Sequence, residues 1–179
     1  MIHWHLLSQL ERSMIQKKGA ETDEKEHRSI CLCQRNFASI TPGGTIDHKS
    51  WGKINSMTIG WGMLGTEWGK PIFLTLVREH RFAKEQLDQN PEFTINIPWG
   101  EREKKILAVC GSHSGRDMDK IKQLGMTLVE PEKISVPAIQ EFPLTLECKV
   151  IYQQKQEAKA IPADYRALYY PQEVGSDHC

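Results

Sequence analysis

The 179-residue sequence lacks any run near the roughly 20 apolar residues that a membrane span requires. It lacks net charge, because 23 Lys and Arg balance 23 Asp and Glu. That excludes a surface that is basic all over, as nucleic-acid binding would ask, but leaves room for a local basic pocket. It lacks an even set of cysteines. The five, at positions 31, 33, 110, 148 and 179, form no paired framework, so free thiols are expected. The opening "MIHWHLLSQLERSMIQKK" lacks the apolar core and small-residue cleavage site of a secretory signal, so the expected compartment is the cytoplasm, with no membrane association. Internal repeats and low-complexity tracts are missing too. What is present is a 39% hydrophobic chain of mean hydropathy -0.50, long enough for one domain with its own core.

Two parts are expected. In residues 1–34, Leu6, Leu7, Leu10 and Met14 follow helical spacing, and "GAETDEKEHRS" is charged and nearly free of apolar groups. This reads as a helix and a linker outside the core fold, with the main domain at 35–179. There, "NFASIT" is a strand candidate ending at the turn "PGG", "KINSMTIGW" alternates, and "PIFLTLVR" is an apolar run suited to a buried strand. "RFAKEQLDQN", "EREKKILAVCGS" and "GRDMDKIKQLG" read as helices, the last ending at Gly125. "EFTINIP", "TLVE", "AIQEF" and "LTLECKVIYQQ" read as strands. Strands lead, helices interrupt and strands close. The expected class is mainly β with inserted helices, an antiparallel Greek-key barrel.

Gly60-Trp61-Gly62-Met63-Leu64-Gly65 has the spacing of a dinucleotide-binding turn. That turn must open a helix whose N-terminus meets the pyrophosphate. Here "TEWGKP" follows, and Gly69 and Pro71 oppose a helix. The reading is a glycine-rich strand end, where a missing Cβ admits another backbone or a flat ligand.

"SHSGRDMDK" is the sharper signal. Ser114 with Asp117 reads as a capping box, with a helix beginning at Gly115 and its first N–H groups free for an anion. Arg116 in that first turn opposes the helix dipole unless an anion fills the gap, and Lys120 lies one turn on. The same spacing fits an ordinary capped helix with solvated Arg and Lys. Arg78 and Arg81, three apart, could converge on an anion or pair with Glu79 and Glu85.

Taken in order, "INSMTIGWGMLG", "GKPIFLTLVREHRFAKEQL", "EFTINIP", "CGSHSGRDMDKIKQLGMTL" and "FPLTLECKVIY" resemble the flavin reductase-like family of FMN-binding split barrels, from about Phe37 to Tyr152. The resemblance implies a six-stranded antiparallel split barrel, a homodimer, and non-covalent FMN. It places Asn55, Ser56, Met57 and Thr58 along the isoalloxazine ring, and Arg78, Arg81, Ser114, Gly115, Arg116 and Lys120 near the ribityl phosphate. Trp61 is a candidate for stacking on the flavin edge. Ala83 stands where the family commonly has threonine, and a late strand of the family would begin about where "GSDHC" ends the sequence, so the chain is expected to be short there. The implied activity is an NAD(P)H-dependent oxidoreductase that reduces flavin or another small acceptor. The alternatives are a flavoredoxin-like electron carrier serving a redox partner protein without its own nicotinamide site, or a truncated paralogue that binds no flavin. No catalytic side chain is singled out.

Cys31-x-Cys33 with His27 supplies too few ligands for a structural zinc site, and no metal is expected. His3 and His5 are expected on an exposed terminal helix, Cys110 and Cys148 in packed positions, and Trp51, Trp61 and Trp68 in core or interface packing.

Overall fold

The computed structural model describes residues 3–14, 44–98 and 103–171. Nine strands form among the described residues: β1 (His3–Met14), β2 (Gly44–Ser50), β3 (Lys53–Ile59), β4 (Gly62–Glu67), β5 (Lys70–Arg78), β6 (Glu92–Ile97), β7 (Leu128–Val129), β8 (Ala138–Ile139) and β9 (Leu144–Lys155). The helices are α1 (Phe82–Gln89), α2 (Lys104–Ser112), α3 (Lys120–Leu124) and α4 (Ala163–Tyr169), the last preceded by a 3-10 turn at Ala158–Ala160. Every strand pairing is antiparallel. The main sheet has seven strands in the order β3-β2-β6-β9-β1-β5-β4, and β7 pairs with β8 apart from it.

The sheet curls around one core without closing. Ile59 from the β3 edge, Ile46 from β2, Phe93, Ile95 and Ile97 from β6, Leu146 and Cys148 from β9, and Phe73 and Val77 from β5 join a single buried cluster, with Leu64 of the opposite edge strand packed against it. Burying residues of both edges in one cluster requires that curvature. Leu87 of α1 reaches the same core. A second cluster, built on Ile106, Leu107, Cys110, Met126, Ile139 and Phe142, lies under α2 and α3.

Polar bonds lock the two regions together. Buried Asn96 donates to Asp47 Oδ2 (2.7 Å), and its carbonyl oxygen accepts from Ile139 N (3.2 Å) and Thr145 Oγ1 (2.7 Å). One side chain on β6 thus joins β2, β8 and β9. Glu147, fully buried, accepts from the amides of Glu132 (2.8 Å) and Lys133 (2.7 Å) and fixes the loop between β7 and β8.

The expectations fared unevenly. The alternating and apolar segments from Lys53 to Lys155 fold as β3, β5, β6 and β9, and α1, α2 and the Gly125 C-cap form as read. The N-terminal helix does not form. His3–Met14, carrying His3 and His5, is a strand hydrogen-bonded between β9 and β5. The helix expected to start at Gly115 starts instead at Lys120, capped by Asp119, whose carboxylate accepts from Lys122 N (3.1 Å). Trp51 and Trp68 are not packed inside; each is 64% exposed. Cys110 and Cys148 are buried free thiols. The strand expected at "NFASIT", the charged linker, the Cys31-x-Cys33 pair with His27, and "GSDHC" lie outside the described residues. Among the described residues no helix is long and apolar enough to cross a membrane.

Candidate functional site

β3 and β5 run out toward the same end of the curled sheet, and the segment joining β5 to α1 carries Arg78, Glu79, His80 and Arg81. Beside β3, α2 is drawn in close. Thr58 donates its hydroxyl to the Leu107 carbonyl (2.6 Å), and Gly111 of α2 faces the Thr58 side chain. The turn after α2 therefore arrives next to Arg81. Two cavities result. The larger, about 600 Å³ counting its open mouth, is lined by Met57, Thr58, Ile59, Gly60, Trp61, Leu76, Arg78 and Arg81. The smaller, about 400 Å³ on the same measure, draws its walls from the tips of four segments and includes Asn55, His80, Phe82, Ser114, Gly115 and Arg116. Met57 and Arg81 belong to both, so the two are ends of one trough.

The small end is electropositive. Partial burial lowers the pKa of His80, and the charges of Arg81, Arg78 and Arg116 lower it further. Three guanidinium groups therefore bear on one imidazole, and an anion there would relieve the repulsion. No described carboxylate pairs with Arg78 or Arg81. Arg116 pairs with Glu85, donates to the His80 carbonyl (3.3 Å), and lies 5.5 Å over the Phe82 ring. Ser114 Oγ accepts from Arg116 N (3.1 Å), while the Ser114 carbonyl takes Asp117 N (3.2 Å) and Met118 N (3.1 Å). The loop is thus a hydroxyl-stabilised turn rather than a helix N-terminus, and its cradle comes from close approach. A Cβ on Gly115 would overlap the side-chain oxygen of Asn55 and sit 2.8 Å from the Phe82 ring.

The sequence-predicted residues divide accordingly. Asn55, Met57, Thr58, Trp61, Arg78, Arg81, Ser114, Gly115, Arg116 and Lys120 all line the trough. Ser56 does not: its side chain is fully buried and faces inward, opposite Asp47 in the β2–β3 ladder. Thr58 spends its hydroxyl on α2. Lys120 is 3% exposed, and its ammonium donates to the Ser56 carbonyl (2.6 Å) and the Cys110 carbonyl (3.3 Å). Burial lowers its pKa. It bolts β3 to the end of α2 at the floor of the cavity. Lys53 does the same from the other side, donating to the Gly115 carbonyl. Sequence reading left out Lys53, His80, Phe82 and Leu76. "VREHRF" put His80 and Phe82 beside the singled-out arginines, whereas nothing local marks Lys53, whose partner lies 62 residues away.

The glycine run is explained by the same geometry. Gly60 faces open space in the large cavity, whereas a Cβ on Gly62 would press within 2.7 Å of the buried Phe73 ring. Neither opens a helix; Gly62 begins β4.

An antiparallel, mainly β sheet that is curled but unclosed places the chain among the split-barrel proteins. The family model described as "Flavin reductase like domain" matches residues 44–161, and the chain belongs to that family. It is similar to an uncharacterized protein of Archaeoglobus fulgidus, 29% identical over 99 residues, and spans about half the length of that curated relative: 55% of each chain is covered. The crystal structure of an FMN-binding domain of a flavin reductases-like enzyme from Shewanella baltica shares the fold, with a TM-score of 0.61 and 18% identity over 88% of this chain and 71% of that one. Flavoredoxin of Desulfovibrio vulgaris shares it as well, with a TM-score of 0.53 and 18% identity over 83% of this chain and 81% of that one.

Proposed function

We propose that the chain binds FMN and works as an oxidoreductase, taking electrons from NAD(P)H and passing them to flavin or another small acceptor. The observation that carries this is the trough itself. Its large end holds the apolar side chains of Met57, Ile59, Trp61 and Leu76 together with Arg78 and Arg81, and its small end holds Arg81, Arg116, Ser114 and Gly115. A ligand with a flat ring and a phosphate monoester matches apolar walls that carry guanidinium groups along their length. FMN, when bound, supplies hydride and electron transfer.

In this reading Arg81 and Arg116, with the turn at Ser114–Gly115, hold the phosphate, and the backbone of β3 supports the ring. Asn55, whose buried carbonyl oxygen has no protein donor among the described residues, supplies an acceptor where the two ends join. Lys120 and Lys53 keep β3 and the turn at fixed separation. The working unit is residues 35–179 completed by β1, and the chain pairs with a second copy as a homodimer.

Adding FMN to the purified protein and reading the flavin absorbance tests the binding claim. Arg116→Met is expected to weaken FMN by about tenfold or more, the worth of a charge-assisted bond to phosphate. Unchanged affinity would remove the phosphate assignment. Anaerobic bleaching of the bound flavin by NADH or NADPH supports the oxidoreductase. Bleaching by dithionite alone would assign the electron-carrier role instead.

A further inference from the structure

His80 occupies the middle of the basic segment that joins β5 to α1, and it lines the small cavity. Its backbone is held from two sides. Arg81 N donates to the Arg78 carbonyl (3.1 Å), closing a turn around Glu79 and His80, and Arg116 donates to the His80 carbonyl (3.3 Å). The residue is exposed, and no described carboxylate pairs with its ring. The charges around it are unbalanced. Both carboxylates nearest in sequence are engaged elsewhere, Glu79 by Lys155 of β9 (3.4 Å) and Glu85 of α1 by Arg116. The turn after α2 contributes His113, whose Nδ1 is bonded to Ser112 Oγ (2.9 Å), and Arg116 followed by Asp117. Lys53 of β3 and Lys120 of α3 add positive charge while anchored on backbone carbonyls. On the β1 side, His3 stands opposite Arg78 in the ladder. Partial burial, then the charges of Arg81, Arg78 and Arg116, hold the His80 ring below its ordinary 6.5. Excess positive charge thus surrounds a ring that can itself become a cation.

We propose that His80 is a further ligand of the phosphate held by Arg81 and Arg116, joining them as an imidazolium when the anion docks. The inference rests on the flavin reading and adds to it a residue and a proton. A phosphate dianion among the three guanidinium groups reverses the field at the ring. The imidazole takes a proton from solvent, and the N–H so formed donates to a phosphate oxygen. FMN affinity therefore falls as pH rises between the ring's free and bound pKa values, by at most about tenfold per pH unit for one proton. Below about pH 6 the phosphate's own second ionisation acts in the opposite sense, because a cationic site must strip a proton from the monoanion. Affinity is expected to peak near about pH 6 and to decline above it.

The test follows the His80 ring itself, by the pH titration of its C2–H proton resonance, assigned among the seven histidines by its loss in His80→Gln. Titrations are run on the protein alone and with excess FMN, with riboflavin, which lacks the phosphate, and with inorganic sulfate, which stays a dianion throughout. FMN is expected to raise the midpoint by about one pH unit or more, and riboflavin to leave it in place. FMN dissociation constants, read by fluorescence in phosphate-free buffer, are expected to rise about three- to tenfold from about pH 6.5 to about pH 8.5 in wild type, and by less than about twofold in His80→Gln. His113→Gln is expected to keep the wild-type decline. The proposal is overturned if bound FMN leaves the His80 midpoint unmoved, if riboflavin moves it equally, if His80→Gln keeps the decline, or if His113→Gln abolishes it. Failure of FMN to bind, with sulfate still raising the His80 midpoint, would sink the flavin reading and leave an anion site at His80. Failure of FMN to bind with the midpoint indifferent to sulfate would remove both.

Discussion

Trp51 and Trp68 hold φ angles of 50° and 49°, followed by Gly52 at 72° and Gly69 at 69°. Each Trp-Gly pair turns a two-residue hairpin, β2 into β3 and β4 into β5, with left-handed backbone at both central positions. Asparagine tolerates that conformation far better than tryptophan, whose Cβ is strained there. The exposed indoles recover little by packing. Trp51→Asn and Trp68→Asn are each expected to stabilise the protein by about 0.5–1 kcal/mol, read as a higher urea midpoint at unchanged slope. Gly62→Ala is expected to cost about 1–3 kcal/mol, because Phe73 is fully buried and has nowhere to retreat. At the site, Glu85 occupies the Arg116 guanidinium that the phosphate would claim. Both groups are well exposed, so the competition is weak. Glu85→Gln is expected to tighten FMN by about two- to fivefold at low ionic strength and to lose that advantage as salt is added, measured by fluorescence titration. Most of these individual roles were legible as residue types in clusters: arginines three apart, a serine before glycine and arginine. What the sequence could not show was which basic side chains were already spent. Lys120 resembled a free phosphate ligand until its ammonium was seen on two backbone carbonyls.

Elements were legible where the hydrophobic pattern had one interpretation. "PIFLTLVR" and "EFTINIP" could only be buried strands. β2 was left unassigned because "GTIDHKS" carries a single large apolar residue, yet every residue but Lys49 is buried. Its polarity is only partly paired: Asp47 Oδ2 accepts from Asn96, distant in sequence, whereas His48 lies against the Phe93 ring with neither ring nitrogen bonded among the described residues. That buried polarity makes β2 sensitive to pH in two opposed ways. Burial pushes Asp47 up to about 7 from 3.8, outweighing the bond from Asn96 and the charge of Lys120. The folded state therefore holds a proton that the unfolded chain releases, and stability falls as pH rises from near 4 to near 7. Burial lowers His48 from 6.5 to about 3, so the folded state refuses a proton that the unfolded chain takes up. Stability then rises with pH from near 3 to near 6.5. Each slope is about 1.4 kcal/mol per pH unit, and the two oppose each other between roughly pH 4 and 6.5. Asp47→Asn removes one of them. Its urea midpoint is expected to climb relative to wild type from pH 5 to 7.5, while His48→Gln is expected to show the reverse, gaining relative to wild type toward acid.

For the whole molecule the decisive pairing is β1 between β9 and β5. Without it the order β3-β2-β6-β9 stands apart from β5-β4, which carries Phe73 and Val77 of the core and Arg78 of the large cavity. The His3–Arg78 pairing sits beside the site. The sequence could not reveal this. Leu6, Leu7, Leu10 and Met14 satisfy a helical template, and local spacing has no means of choosing when the competing partner is two strands more than 60 residues away. Nonlocal ladder bonds decided it, and that is testable. Leu6 lies opposite both Thr75 and Gln153 in the middle of the sheet. Proline there removes a ladder donor in a strand bonded on both sides and is expected to cost about 3 kcal/mol or more, lowering the melting temperature and FMN affinity together. The same substitution in a solvated terminal helix would alter local helicity and leave both readings in place. Removing residues 1–14 is expected to expose the facing edges of β9 and β5 and give a chain that self-associates on gel filtration. Restoring a monodisperse, flavin-binding protein by adding the 1–14 peptide would establish that this strand completes the sheet, whereas an unaffected melting curve for the shortened chain would return the N-terminal segment to the status of an appendage.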